Sequence, residues 1–218
     1  MNSFRFRTAL IATMLVLLAM PAAASAAAES LRTTFLFSRS VTGGVPNGES
    51  RNGTLSHDQR IARVIAYESD ATNIVDGDSN GVTDVFMVRR AAPWGNNGTP
   101  WGMAATELVS TGLGGAPANG ASYKPVIDGA SHNKPGCVGF ISEASNLVRG
   151  DTNGVADAFV RNLSNGKIER VSVDSSGKQA NGPSHDISVA GDCLRVAFTS
   201  SATNLGLFVP FLDESNIL

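Results

Sequence analysis

The sequence predicts an all-β protein built from repeated four-stranded antiparallel sheets, and three observations predict it. First, "VIAYESDATNIVDGDSNGVTDVFMVRR" (64–90) recurs as "VGFISEASNLVRGDTNGVADAFVRNL" (138–163) and begins again as "VAFTSSATNL" (196–205). Self-similarity at long spacing is the mark of a repeat architecture. Second, a companion block lies between these copies: "TTFLFSRSVTGGVPNG" (33–48), "ATELVSTGLGGAPANG" (105–120) and "KIERVSVDSSGKQANG" (167–182), each ending in Asn-Gly. Third, the chain carries 23 glycines and only short apolar runs after its first thirty residues, which reads as many short strands joined by turns.

Taken in order, the elements begin with a segment outside the fold. Arg5 and Arg7 precede an apolar run from Thr8 to Met20, Pro21 breaks it, and the small residues through Ala28 suit a signal peptidase. Residues 1–28 are therefore expected to be a cleaved signal peptide, which places the mature chain outside the cell or in the periplasm. The h-region is too short to span a bilayer, and no later stretch is apolar enough, so no membrane span is expected after cleavage. A lone strand is expected at 33–38.

Each repeat then reads as four strands. "PVIDG" or "DISVAG" opens a unit, and a hairpin leads to "VGFIS" or "VAFTS". A loop carrying Asn73, Asn146 or Asn204 leads on to "DVFMV" or "DAFVR", and a second hairpin ends in "TELVS" or "ERVSV". Apolar alternation at Val171 and Val173, and at Ala158 and Val160, is that of half-buried strands. The unequal spacing of the copies comes largely from the insertion "RAAPWGNNGTPWGMAA" (90–105), where the second copy has the tight "LSNGK". Units of this size with four short strands are the blades of a β-propeller. Radial stacking buries both faces of a blade, so Phe140 and Phe198 fill the space between neighbours while Gly139 and Ala197 admit them.

"VAFTSSATNL", "NLVRGDTNGVADAFVRNL", "GKIERVSV" and "QANGPSHDIS" resemble the WD-repeat-like blades of TolB-type β-propellers in exported bacterial proteins. The resemblance spans roughly 33–205, and the propeller region is expected over 29–205. It implies the fold and an exported location; for activity it is a poor guide, since such proteins serve as envelope interaction proteins and as peptidase-gating domains. One departure stands out. After Leu205 the third copy abandons the repeat for "GLFVPFLDESNIL". Two full blades, a half blade and a lone strand do not close a ring, so the fold is expected to be incomplete and 206–218 a divergent tail. A truncated family member is the expectation, with self-association through open blade edges as the other outcome.

The stretch "DGDSNGVTD" (76–84) sets out Asp76, Asp78, Asn80, the Val82 carbonyl and Asp84 at the alternating spacing of an oxygen-lined calcium loop. Met87 stands where an EF-hand closes with glutamate, so only the shorter loop form fits. The same residues also suit a plain turn, with Asn80-Gly81 reversing the chain and the aspartates capping exposed amides. The second copy, 149–157, keeps Asp151, Asn153 and Asp157 but opens with Arg149, a cation that opposes a metal and is placed to pair with those carboxylates. Calcium, bound weakly at 76–84 in the range of roughly 0.1 to 1 mM, is the one cofactor the sequence suggests.

Cys137 and Cys193 sit near corresponding strands of consecutive units, and an oxidising compartment permits a bridge. Buried free thiols are the alternative. His57, His132 and His185 share no repeat position and fit no zinc spacing. Trp94 and Trp101, on the Gly/Asn/Pro-rich insertion, are candidates for a surface that contacts a protein or glycan, or for rings that pack back on their own sheet. Nineteen acidic against 17 basic residues, without a basic cluster, argue against nucleic acid. The expected function is a non-catalytic binding scaffold. A propeller of a secreted hydrolase or lyase and a calcium-dependent adhesion module are the alternatives.

Overall fold

In the computed structural model, residues 34–57, 62–90, 101, 104–129 and 135–206 are described, and the chain divides into compact units at residues 1–36 and 37–218. The expected signal peptide (residues 1–28), Trp94, His132 and the tail from 207 onward lie outside the described residues. Within the second unit the fold is all-β. The first sheet is a four-stranded antiparallel meander of β1 (Ser50–Leu55), β2 (Val64–Ser69), β3 (Asp84–Arg89) and β4 (Ala105–Leu108). The second repeats it with β5 (Ser122–Ile127), β6 (Cys137–Ser142), β7 (Asp157–Asn162) and β8 (Ile168–Arg170). A third sheet, among the described residues, is the two-stranded hairpin of β9 (Ser184–Val189) and β10 (Val196–Ser200). Two sheets have four strands and the third has two, and among the described residues no ring closes. No described helix is long and apolar enough to cross a membrane.

The repeats superpose residue by residue in their packing. Tyr67 faces Phe86 across β2 and β3, with the rings stacked at 5.8 Å, and Phe140 faces Phe159 across β6 and β7 at the same distance. Phe140 and Phe159 pack onto Val64, Ala66, Val85 and Met87 of the first sheet. Phe198 and Val196 pack in the same sense onto Ile141 and Ala158 of the second. The second and third sheets thus each send an aromatic face back to the sheet before it, and burying such rings is the main stabilising term of the stack. The opposite face of the second sheet is open at one position. At Gly139 an added Cβ would stand 3.0 Å from methyls of Val126, Ile187 and Val189, so the glycine is what lets β9 lie against β6.

The inner strands carry bulges. Between Arg51 and Thr54 the β1–β2 register shifts, with Asn52 at φ +52°, and between Tyr123 and Val126 the β5–β6 register shifts, with Lys124 at φ +53°. Glu68, buried in β2, braces both bulges: it accepts the Lys124 N–H at 2.6 Å and pairs with Arg51 Nε at 2.8 Å.

The N-terminal expectation needs correction. Residues 34–38 form no strand, because the chain bends at Ser38 and the Arg39 N–H turns back to the Phe37 carbonyl at 2.9 Å. The opening strand of the first sheet is instead Ser50–Leu55, whose Asn52-Gly53 pair reads in sequence as a turn and forms the bulge. The fourth strands are also shorter than their sequence suggests. β8 ends at Arg170, and Val173 is left with a single bridge to Gln179.

Candidate functional site

The residues shared by all three repeats gather in the loops after β2, β6 and β10, where one arrangement recurs. Asn119 accepts the Ser145 N–H at 2.8 Å and donates to Ser145 Oγ at 2.9 Å, while its own N–H donates to Asn146 Oδ1 at 3.0 Å. Asn47 makes the same three bonds to Thr72 and Asn73, and Asn181 makes them to Thr203 and Asn204. Each Asn-Gly is therefore a latch between two loops. The glycine follows from the close approach: a Cβ at Gly48, Gly120 or Gly182 would meet backbone atoms of the partner loop at 2.5, 2.8 and 2.9 Å. None of the three has a positive φ, so space rather than conformation demands glycine here.

The latches hold the loops that run on to β3 and β7, and these loops carry the paired carboxylates. In the first, Gly77 and Gly81 take φ of +81° and +67°, turning the chain sharply enough to bring Asp78 and Asn80 back over the start of β3. Asp84, fully buried, accepts from Ser110 Oγ at 2.6 Å and from Asn80 Nδ2 at 2.6 Å, and the same Asn80 amide donates to the Ala118 carbonyl at 3.0 Å. The second loop copies this wiring: Asp157 accepts from Ser172 Oγ at 2.5 Å and from Asn153 Nδ2 at 2.8 Å, and Asn153 donates to the Ala180 carbonyl at 3.0 Å.

The copies differ in charge. In the second, the Arg170 guanidinium lies between the carboxylates, with Nη1 3.0 Å from Asp151 Oδ1 and 3.6 Å from Asp157 Oδ2. It also donates to Gln179 Oε1 at 3.0 Å. In the first, Leu108 takes the position of Arg170: Leu108 stands opposite Phe86 as Arg170 stands opposite Phe159. Asp78, the counterpart of Asp151, is only 8% exposed, and among the described residues neither of its carboxylate oxygens finds a side-chain hydrogen-bond partner. Burial pushes its pKa up, and the nearby Asn80 N–H opposes that rise in part. Asp84 is pushed up to about 6, chiefly by burial, with Ser110 and Asn80 opposing and the charge of Asp78 adding to the rise.

Of the five residues expected around calcium, the structure brings together Asp78, Asn80 and Asp84. Asp76 points to solvent, and Asn80 Oδ1 accepts the Val82 N–H at 3.2 Å. Arg149 does not neutralise the second loop; it is exposed, and Arg170 pairs with the carboxylates in its place. Adjacency along the chain favoured Arg149, whereas the β7–β8 ladder delivers Arg170 from the neighbouring strand. The signal was present in "TELVS" and "IERVS", which align Leu108 with Arg170 beside a shared Val-Ser.

Elsewhere, a disulfide joins Cys137, at the start of β6, to Cys193 in the β9–β10 turn, with Cα atoms 6.0 Å apart. It ties the third hairpin to the second sheet. Trp101 is half-buried, edge-on to Phe37 at 5.1 Å and beneath the Arg90 guanidinium at 4.9 Å. His185 Nε2 bonds with Ser201 Oγ at 2.8 Å, and His57 is exposed.

The third hairpin differs from the first two sheets in its outer edge. β2 and β6 are buried along their whole length between two neighbours, whereas every residue of β10 is at least partly exposed and pairs, among the described residues, with β9 alone. The Ala190 N–H donates to the Arg195 carbonyl at 2.9 Å, which sets the ladder so that odd-numbered residues of β10 bond to β9. The backbone groups of Val196 and Phe198 therefore face away from β9. Compared with known proteins, the chain matches no family, no curated protein and no solved structure.

Proposed function

We propose that this chain is an exported, non-catalytic repeat protein of the TolB-type β-propeller kind that works as a binding scaffold, receiving a strand from a partner along the edge of β10. The observation that carries this reading is the difference between like strands. "VAFTS" aligns with "VIAYES" and "VGFIS", which lie inside their sheets, yet among the described residues β10 lies at an edge with Val196 and Phe198 partly exposed. An extended segment laid along such an edge gains main-chain hydrogen bonds and pockets for alternate side chains. The repeated latches and the Cys137–Cys193 bridge favour the reading, because they hold the edge rigid before a partner arrives.

The partner strand has a template inside the molecule. In the second sheet β6 receives β7, with Phe140 opposite Phe159. A labelled peptide copying residues 155–163, VADAFVRNL, is therefore the probe for the purified full chain. Saturable binding seen by fluorescence anisotropy, with new amide protection over Val196–Ser200, is the expected result. A peptide that does not bind, or that binds without protecting β10, overturns the proposal.

A further inference from the structure

The two carboxylate loops are copies with one exchange, and that exchange leaves the first loop short of a positive charge. Asp151 and Asp157 share the Arg170 guanidinium, and Arg170 Nη2 also reaches the Gly150 carbonyl at 3.4 Å. The equivalent groups of the first loop are Asp78, Asp84 and the Gly77 carbonyl, and the side chain offered to them is that of Leu108. An isolated buried carboxylate is costly unless it is paired, hydrogen-bonded or bound to a metal. Asp78 is more than nine-tenths buried, with both oxygens unpartnered among the described residues, and its charge is felt at Asp84.

We propose that Asp78 and Asp84 bind a hard divalent cation, calcium foremost, which takes in the first sheet the place that Arg170 takes in the second. All the donors are oxygens: two carboxylates, the Gly77 carbonyl, and water for the remaining positions. That set suits calcium, which accepts six to eight oxygens in loose geometry, better than the softer metals that seek nitrogen or sulfur. Among the described residues no three His, Cys, Asp or Glu side chains converge on one point, so the site has two anionic ligands and weak affinity. Asp84 Oδ2 already accepts from Asn80, as Asp157 Oδ2 accepts from Asn153 while also facing Arg170, so one oxygen serves both roles. The cation's role is structural: it fixes the loop that leads from β2 into β3. The site is independent of the β10 edge, and neither reading depends on the other.

The exchange itself supplies the test. The purified full chain is titrated with calcium chloride by calorimetry, and its thermal unfolding is followed in calcium and in chelator. Wild type should bind one calcium with a dissociation constant of roughly 0.1 to 1 mM. Its midpoint should rise by roughly 3 to 7 °C at calcium twenty times that constant. Leu108→Arg supplies the missing guanidinium and should abolish the calcium response. Arg170→Leu should create a second site and raise the stoichiometry to two. Asp78→Asn keeps the shape of the side chain, so it decides the matter if Leu108→Arg fails to fold; it should remove calcium binding and raise the midpoint in chelator. No binding heat and no midpoint shift in wild type would overturn the proposal, as would a calcium response that survives Leu108→Arg or Asp78→Asn.

Discussion

Replacing Gly120 by alanine probes the latch that the three repeats share. The new Cβ would lie 2.8 Å from the carbonyl carbon and oxygen of Glu143 and 2.9 Å from the Ala144 nitrogen. Carbon atoms in contact prefer about 3.5 to 4.0 Å, so the loops must part by most of an ångström. The obstacle is backbone and cannot rotate aside. It is also held, since the Glu143 N–H donates to the Ala121 carbonyl at 2.8 Å and Asn119 grips Ser145 and Asn146. Overpacking of this kind costs about 1 to 3 kcal/mol. Losing one or two latch hydrogen bonds adds roughly 1 kcal/mol, with the exposure of Asn119 limiting the loss. The sum, about 2 to 4 kcal/mol, lowers the unfolding midpoint by roughly 5 to 15 °C in a domain of this size. Gly53→Ala is the control, because a Cβ there meets nothing within 4 Å and its φ is not positive; it should be neutral or stabilising by under about 1 kcal/mol. Urea denaturation of the two variants is the assay. If Gly120→Ala is as stable as Gly53→Ala, the latch is not a close-packed contact and the account of the repeated Asn-Gly fails.

Glu68→Ala should cost about 2 to 4 kcal/mol in urea denaturation, because the part-buried Lys124 N–H loses its acceptor and Arg51 loses its one buried carboxylate partner, keeping the more exposed Asp70, Glu49 and Thr83; a loss below about 1 kcal/mol would show that the bulge is held by other contacts. Replacing both Cys137 and Cys193 by serine frees a separation of 56 residues in the unfolded chain and should lower stability by roughly 2 to 4 kcal/mol. Equal stability of the oxidised protein and the double variant would refute that contribution. Asp70 is held below the usual carboxylate range by its hydrogen bonds from Arg51 and then Thr83. A depressed folded value means that its contribution is fully present above the unfolded value of about 4 and disappears as pH falls through the folded one. Asp70→Asn should therefore flatten the pH dependence of stability below pH about 4, and an unchanged profile would contradict this.

The second sheet and the third hairpin were legible in the sequence because their apolar residues alternate and recur at matching positions, and one packing rule then places Tyr67, Phe140 and Phe198. β1 was hidden, since a bulge at Asn52 and Gly53 borrows the residues of a turn. The apolar segment at 34–38 misled for the converse reason: hydrophobicity alone makes no strand without a partner ladder. At the carboxylate loops the spacing of Asp78, Asn80 and Asp84 was visible, but their charge balance was not. It depends on residues across the ladder, Leu108 in one sheet and Arg170 in the other, which lie far off in sequence. The latch was half legible. Asn73, Asn146 and Asn204 recur plainly, yet only the fold reveals that they answer Asn47, Asn119 and Asn181.

One strand sequence lies inside a sheet in two repeats and, among the described residues, at an edge in the third, and amide hydrogen exchange resolved by residue tests that most directly. In the free protein, Phe140 and Val138 have both neighbours and should exchange only through large openings, whereas Val196 and Phe198 turn their N–H groups away from β9. The amide of Phe198 should exchange about a hundredfold faster than that of Phe140, or more, after correction for intrinsic rates. Protection of Phe198 within about tenfold of Phe140 would mean that the β10 edge is already covered in the free chain, and would contradict the scaffold reading.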